Sequence, residues 1–498
     1  MILRIEYGIR LQCVYREKEI SQYCAKIWPT KKMNYKDATQ KILRSSLHQF
    51  LDPDFDDVDV YEQSVWIEIL KNCSQKLRNS DTCLLEEMVN YLFNCWCTDA
   101  MNQLLTTEIP AILISFLENY VQNHMKPNLP ILKIREIGSK RDMILALYVI
   151  NECFKMHSNF NYQNVTPNLM KMFFTISEFS SCDSAKFAIS IITRYAEHSP
   201  ECLSNLLTLN FVDRILYLLK SPINYSIKAC LIYALIPLIN TGNIGNICEL
   251  LIFHQKKWQN ELTFLAILNF FNQYLLFSEK NLKNGFKLGV FDLALDGIIY
   301  DFPNKSEEGT ETETKQTSLE IIMQFLNSPF SEHKEYIITY SDIGKHVGLL
   351  LLNENDNDIK CGITILNFLL YNDPDIPSKV IHHKIIENIC KAIKICNFEN
   401  KTLILNVLGY FLKETDKSIV MMILNNDILE YVFESIECIT DPLKIYVLES
   451  LFHIFTNYPE SKKYVNEEDI YEIIEPLQRY PNEDISTLAQ LIHKEFVE

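Results

Sequence analysis

One stretch of this sequence carries acidic side chains at roughly the spacing of a metal-binding loop. Its aspartates alternate much as calcium ligands do: Asp52, Asp54, Asp56, Asp57 and Asp59. Asp57 stands where such a loop needs glycine for its sharp turn, and Gln63 stands where it needs a bidentate glutamate. We therefore interpret the run as a solvated acidic linker, and the sequence predicts no metal site.

Cysteines, histidines and glycines are also not arranged for catalysis. The 15 cysteines are scattered, and closely spaced pairs such as Cys95 and Cys97 lack the two-residue gap of a zinc or redox motif. His382 and His383 have no partner cluster, and no glycine-rich phosphate-binding motif is present. We expect a protein that is not an enzyme, that uses no cofactor and that keeps its thiols reduced.

The net charge of −17 is divided unevenly along the chain. Residues 1–50 hold ten basic and four acidic side chains, a balance of +6, so the remaining residues carry −23. An acidic body repels the phosphates that dominate affinity for nucleic acids, so we expect no nucleic-acid partner. This charge instead favours a basic protein partner.

The apolar residues do not form a targeting or membrane segment. Arg4 and Glu6 interrupt the apolar residues at the N-terminus, which argues against a signal peptide. The longest apolar run, residues 229–239, is about half of the roughly 20 residues that span a bilayer. We expect no membrane insertion and a cytoplasmic or nuclear location.

The elements that could position a binding site are helices of one repeating kind. Apolar residues recur at i, i+4 and i+8, which places them on one helical face. The triplets are Ile109/Leu113/Leu117, Phe211/Ile215/Leu219, Val290/Ala294/Ile298, Ile343/Val347/Leu351, Ile385/Ile389/Ile393 and Ile428/Val432/Ile436. The last three begin 42 and 43 residues apart, so the sequence predicts a repeat of this length.

A further helix is predicted after each of four triplets. A polar turn precedes a lysine, and the lysine opens a segment that is apolar nearly all round, as in a helix buried between neighbours. These lysines are Lys228, Lys360, Lys401 and Lys444. Weaker copies bring the total to about nine or ten units. The stretch 304–316 is acidic and has no apolar residue, so we expect a loop insertion there.

These units resemble armadillo repeats, most clearly over residues 211–235 and 427–455. The resemblance implies an all-α, right-handed superhelical solenoid of armadillo (ARM/HEAT-like) repeats over residues 51–498, preceded by residues 1–50 as a basic N-terminal segment. Among armadillo proteins, importin alpha is similar in length, repeat number and basic N-terminal segment. HEAT repeats remain an alternative for the weaker units.

The resemblance also implies a peptide groove on the third helix of each repeat. In importin alpha, tryptophans there hold basic side chains by cation–π contact, and asparagines bind the peptide backbone. Alignment on Leu92, Leu235, Leu408 and Leu451 places the following residues in these groove positions: Asn90, Asn94, Tyr233, Asn406, Tyr410, Glu449 and His453. Only Asn94 matches importin alpha. The alternatives are a solvated helix face for Asn90 and Asn94, and core or rim packing for Tyr233 and Tyr410.

Two functions are consistent with this resemblance. The first is an importin alpha-like adaptor for nuclear protein import, with extended basic peptides in an acidic groove and importin beta bound through residues 1–50. The second is an armadillo scaffold that organises a cytoplasmic protein complex without a transport role. The charge separation favours the first, and the missing tryptophan ladder favours the second. Residues 1–50 are then an autoinhibitory or importin-binding arm, or a segment packed on the surface.

Overall fold

The computed structural model describes residues 39–44, 62–79, 81–95, 97–124, 141–156, 165–179, 182–241, 244–255, 260–299, 310–339, 342–353, 355–372, 383–414, 417–465, 468 and 470–497. Helices account for most of this described part, and no β-strand occurs in it. The chain divides into two units, Met1–Pro237 and Leu238–Glu498. Their boundary falls within the 3-10 helix Ile236–Thr241.

The described helices of the N-terminal unit fall into sets of two or three. They are α1 (Gln63–Arg78), α2 (Leu85–Asn94), α3 (Thr98–Thr106), α4 (Ile109–His124), α5 (Arg141–Lys155), α6 (Pro167–Phe179), α7 (Cys182–His198), α8 (Pro200–Thr208), α9 (Phe211–Lys220) and α10 (Tyr225–Ala234). Two sets are complete three-helix units, α3–α5 and α8–α10. The last helices of successive sets, α2, α5, α7 and α10, pack each against the next.

The C-terminal unit repeats the same arrangement. Its described helices are α11 (Gly245–Gln255), α12 (Glu261–Phe277), α13 (Glu279–Lys287), α14 (Val290–Ile299), α15 (Thr310–Leu326), α16 (Ser331–Thr339), α17 (Ile343–Leu351), α18 (Asp356–Asn372), α19 (His383–Ile395), α20 (Phe398–Glu414), α21 (Lys417–Leu424), α22 (Ile428–Ile436), α23 (Asp441–Asn457), α24 (Glu475–Leu477) and α25 (Glu483–Val497), with a 3-10 helix at Pro459–Tyr464 and a π-helix at Ile470–Ile474. The sets α13–α15, α16–α18 and α21–α23 each contain three α-helices. We call the last helix of a set its third helix, and α12, α15, α18, α20, α23 and α25 pack in that order.

Local signals define the short first and second helices. The side chains of Ser199 and Ser278 cap the N-termini of α8 and α13. In three sets, the turn between the first and second helices holds a residue with positive φ: Asn210 at 57°, Gly289 at 80° and Asp427 at 57°. Glycine, asparagine and aspartate are the residue types that adopt this left-handed conformation most readily. The sequence therefore encodes the sharp turn between these helices locally.

The predicted repeat and fold class are confirmed. All six apolar triplets lie on second helices, and every residue in them is at most 3% exposed. In α13–α15, α16–α18 and α21–α23, two helices of 8 to 10 residues are followed by a third helix of 17 residues. Such sets, recurring at 42 to 43 residues where the last triplets do, are the arrangement of armadillo repeats. The described part of the chain is therefore an all-α armadillo-type repeat structure.

The predicted loop at 304–316 was wrong over residues 310–316, because α15 begins at Thr310. Thr314 is buried there, and the Lys315 Nζ lies 2.9 Å from Glu311 Oε1 and 2.6 Å from Asp358 Oδ1. Asp358, which belongs to the next set, thus pairs with the buried charge of Lys315 in this polar helical turn. Residues 304–309 lie outside the described residues.

Third helices also begin earlier than predicted. The four lysines expected to open them lie three or four residues inside the helix: Lys228 in α10, Lys360 in α18, Lys401 in α20 and Lys444 in α23. The residues just ahead of each lysine form the first turn of the helix, so the turn between the helices is shorter than predicted. Of the basic segment 1–50, only residues 39–44 are described, and the aspartates of residues 52–59 lie outside the described part.

Within the described residues, no single helix is long and apolar enough to cross a membrane. Two bent pairs reach the required length and composition: Thr98–Thr106 with Ile109–Asn123, bent by 69°, and Pro200–Thr208 with Phe211–Lys220, bent by 67°. Each pair consists of the first and second helices of an armadillo set, so the bend is the turn that the fold requires at this point.

The buried leucines of the third helices give a direct test of the packing. Leu408 is 1% exposed and Leu451 is fully buried. Replacing either by alanine should lower the free energy of unfolding by about 2–5 kcal/mol, because each substitution removes buried apolar surface and leaves a cavity. Urea unfolding of the full chain, followed by circular dichroism, measures this change.

The matched control is Leu349→Ala on α17, because Leu349 is 50% exposed. Its effect should stay within about 0.5 kcal/mol. Equal losses for the buried and exposed leucines would contradict the packing described here.

Candidate functional site

A row of partly exposed side chains follows the third helices α18, α20 and α23. We call this row the strip, and it consists of Thr364, Asn367, Phe368, Asn406, Tyr410, Glu449 and His453. Thr364, Asn406 and Glu449 are separated by the same 42 and 43 residues as the apolar triplets, and so are Phe368, Tyr410 and His453. Residues four apart share one helix face. The strip therefore occupies equivalent positions in successive sets.

The first polar contact of the strip joins α18 to α20. Asn406 Nδ2 donates to Asn367 Oδ1 at 2.8 Å, and Asn367 Nδ2 donates to the Leu403 carbonyl at 3.3 Å. These bonds fix the orientation of both side-chain amides. Asn406 Oδ1 receives no donor among the described residues, so it can accept a hydrogen bond from a bound chain.

The second polar contact joins α20 to α23. Lys413 Nζ lies 3.0 Å from Glu449 Oε2, and both side chains are about one third exposed, at 29% and 30%. Lys413 also lies above the Tyr446 ring, 5.8 Å from its centroid. An ion pair this exposed contributes about 0–1 kcal/mol to stability. Its main effect here is to neutralise the charge of Glu449.

Aromatic groups complete the strip. The Tyr410 ring lies edge-on to Phe411 at 6.1 Å, and the His453 ring lies 6.4 Å from Tyr458. Asn457 Nδ2 lies 3.1 Å from His453 Nδ1, which leaves Nε2 without a partner among the described residues. Amide, phenol and imidazole groups at this spacing provide hydrogen bonds and apolar surface for a bound chain.

Two of the predicted groove residues are buried instead of lining an exposed wall. Tyr233 is 1% exposed; it lies in the last turn of α10, which ends at Ala234 before the chain continues as a 3-10 helix. Pro237 cannot donate a backbone hydrogen bond and its ring opposes the carbonyl of Tyr233, so the straight third helix assumed in the alignment does not form. The prediction was therefore wrong for Tyr233.

The prediction was also wrong for Asn90, which is 4% exposed on α2. Helix α2 packs against both α1 and α5, and residues 39–44 also lie near it, with the Arg44 guanidinium 5.7 Å from the Phe93 ring. The side-chain oxygen of Asn90 is buried without a partner. Asn94, one turn further on, is exposed.

The structure brings Asn406, Tyr410, Glu449 and His453 together with residues that the sequence alignment omitted. Thr364, Asn367 and Phe368 belong to the same row, on α18. Thr364 and Phe368 lie 42 residues before Asn406 and Tyr410, and this repeat spacing could have identified them from the sequence. A peptide-binding role for Asn94, Asn406, Tyr410, Glu449 and His453 stays a prediction.

A cleft of about 400 Å³ lies away from the third helices. Its lining comes from α13, α14, α16 and the α13–α14 turn: Lys283, Phe286, Lys287, Gly289, Asp292, Glu332, His333 and Tyr336. His333 stacks on Phe286 with 4.0 Å between ring centroids, and its Nδ1 lies 2.8 Å from Ser328 Oγ. Burial lowers the pKa of His333, so the neutral ring packs as part of the core.

The described side chains do not present an activated nucleophile or a metal centre at the strip. Within the described ranges, no group of three or more histidine, cysteine or acidic residues could hold a metal ion. Burial raises the pKa of the Cys73, Cys230 and Cys361 thiols to about 12, so these thiols stay protonated near neutral pH.

Comparison with known proteins shows likeness of fold. No family model and no curated protein matches the sequence. An engineered protein of known structure is 11% identical, covering 86% of this chain and 99% of its own, with a TM-score of 0.52. A designed armadillo repeat protein is 12% identical over 50% of this chain and 99% of its own, with a TM-score of 0.39. The complex of SYS-1 with POP-1 matches 92% of this chain and 86% of its own at 13% identity, with a TM-score of 0.47.

At such low identity, the engineered protein shows likeness of fold alone and carries no information on partners. The helix order, the 42-residue spacing and the buried triplets of the present chain define the type of repeat. The chain has an all-α armadillo-type repeat fold.

Proposed function

We propose that this chain is a non-enzymatic scaffold that binds an extended segment of another protein along the strip. The observation that carries this proposal is the recurrence of partly exposed side chains at equivalent positions of α18, α20 and α23, beside buried leucines. One position is polar in all three helices (Thr364, Asn406 and Glu449), and the other is aromatic (Phe368, Tyr410 and His453). A row of this kind is more than a solvated surface, because its amides are held in place by bonds between successive helices.

The dimensions of the strip suit an extended chain. Packed helices lie about 8–10 Å apart, and an extended chain advances about 3.3 Å per residue. Side chains about three residues apart on a bound segment would therefore meet successive third helices. Asn406 Oδ1 offers an acceptor for a backbone N–H of that segment, while Phe368 and Tyr410 offer apolar surface for its side chains.

A nuclear import adaptor is the second candidate, and the charge separation favours it. Residues 1–50 carry +6 and the remaining residues carry −23, which suits a basic cargo peptide and a competing basic arm. In this candidate, residues 1–50 also bind importin beta, and the protein moves between cytoplasm and nucleus. The strip itself argues for the scaffold, because it has no tryptophan and because Lys413 neutralises Glu449.

The strip can be tested with peptides selected from a random-sequence display library against the full chain. The triple variant Asn406→Ala/Tyr410→Ala/His453→Ala should weaken the selected peptides by about 10-fold or more, because each side chain contributes contact or a hydrogen bond. Fluorescence anisotropy gives the affinity.

Asn406→Ala alone should also lower the free energy of unfolding by about 0.5–1.5 kcal/mol, since it removes the hydrogen bond to Asn367.

The control for this experiment carries substitutions of exposed residues on second helices. Lys391→Ala/Glu434→Ala changes residues of α19 and α22 and should leave the affinity within about 2-fold. Equal binding by the strip variant and this control, with both variants folded by circular dichroism, would rule out the strip as the binding surface.

The import candidate has a separate test. Removing residues 1–38, which retains the described helical residues 39–44, should raise the affinity for a lysine-rich peptide if the basic arm competes for an acidic surface. High salt should remove the difference, because screening weakens contacts between exposed charges. An unchanged affinity at low salt, together with no binding of purified importin beta to the full chain, would leave the scaffold without a transport role.

A further inference from the structure

Arg194 is a buried cation without an acidic partner. It lies on α7, where 6% of the residue is exposed, and its only hydrogen bond to a described residue runs from Nε to Asn151 Oδ1 at 3.2 Å. No described residue forms an ion pair with its guanidinium. Buried charges in proteins are normally paired, because desolvation of an unpaired ion is costly. The two terminal nitrogens of Arg194 donate no hydrogen bond to a described residue.

The acid on the facing helix does not fill this role, because it forms no ion pair with Arg194 and is bonded to other side chains. Glu152 lies on α5 and is 2% exposed. Its Oε1 accepts from Asn151 Nδ2 at 3.2 Å, and its Oε2 accepts from Lys155 Nζ at 3.3 Å. Asn151 thus stands between the carboxylate and the guanidinium of Arg194, and Glu152 compensates Lys155.

The surroundings add further positive charge. Burial lowers the pKa of Lys155 and Glu152 raises it, while the charges of Arg194 and Arg44 lower it. The Lys155 side chain is 23% exposed, and Arg44 is exposed. Three cations and one carboxylate therefore lie together. Such a group contrasts with residues 51–498 as a whole, which are strongly acidic.

We infer that Arg194, with Lys155 and Arg44, forms a site in the N-terminal unit that binds a carboxylate of an acidic segment in a partner protein. The planar guanidinium has a fork of N–H donors that matches the two oxygens of a carboxylate. Lys155 and Arg44 attract the acid at the exposed side of the site, and Arg194 holds it at the buried end. This site is separate from the strip and takes a ligand of a defined charge, so it stands whether or not the strip binds a peptide.

A purely structural arginine in this unit is differently placed. Arg214, on α9, lies 3.2 Å from Glu178 Oε1, and its guanidinium lies 5.0 Å from the centroid of the Phe174 ring. Its charge is therefore satisfied within the fold. The contrast provides a matched control for substitution of Arg194.

The binding test uses the full chain and a labelled peptide in which glutamates alternate with glycines. Fluorescence anisotropy should show binding of this peptide and no binding of the version with glutamines. Arg194→Met should weaken binding by about 10-fold or more, because it removes the buried partner of the carboxylate. Arg214→Met, the strip variant Tyr410→Ala and the N-terminal variant Lys31→Ala/Lys32→Ala should each leave the affinity within about 2-fold.

Thermal unfolding without peptide separates binding from a structural role. Arg194→Met should leave the midpoint unchanged or raise it, because the substitution removes a buried charge that lacks a partner. A lower midpoint with unchanged peptide affinity would show that Arg194 is structural and would overturn the inference.

If Arg194→Met does not fold, Arg194→Lys is the second variant. It keeps the charge but loses the fork of N–H donors, and it should still weaken binding of the glutamate peptide several-fold. Stronger, Arg194-dependent binding of a phosphoserine peptide would overturn the assignment of a carboxylate.

Discussion

A third helix in this fold is buried between the third helices of the neighbouring sets and against the second helix of its own set. Helix α20 packs between α18 and α23, and its backbone approaches α23 closely at Gly409. The Ser450 hydroxyl donates to the Gly409 carbonyl at 3.0 Å, and a Cβ on Gly409 would lie 2.7 Å from a carbon of the Tyr446 ring. No single set can hide so much apolar surface alone, so the order of the third helices determines which side chains remain at the surface.

The sequence predicted the part of this arrangement that depends on apolar spacing. The six triplets are buried because a second helix presents one apolar face to its own set, and this requirement is visible as a period along the chain. The helical state of residues 310–316 was not predictable in this way. Its support comes from Lys315 and Asp358, which lie 43 residues apart and belong to different sets.

The candidate sites were less predictable, because they depend on how neighbouring helices meet. Alignment to a family pattern placed Tyr233 on the groove wall, although it is buried in the last turn of a helix that ends at Ala234. Arg194 gave no signal in sequence, since its partner Asn151 is 43 residues away on another helix. Bonds between neighbouring third helices also orient the polar side chains before any ligand arrives, which reduces the entropy lost on binding.

The hydrogen bonds and ion pairs that join third helices of the C-terminal unit span similar distances along the chain. Asn272 and Glu320 are 48 residues apart, Asn367 and Asn406 are 39 apart, and Lys413 and Glu449 are 36 apart. Each bond therefore ties a set only to the next one. Gain or loss of a whole set would keep such neighbour contacts, whereas insertion of a few residues within a third helix would rotate one partner away from the other. A fold of this kind can change length in evolution by duplication of entire sets, and it constrains length strictly within each third helix.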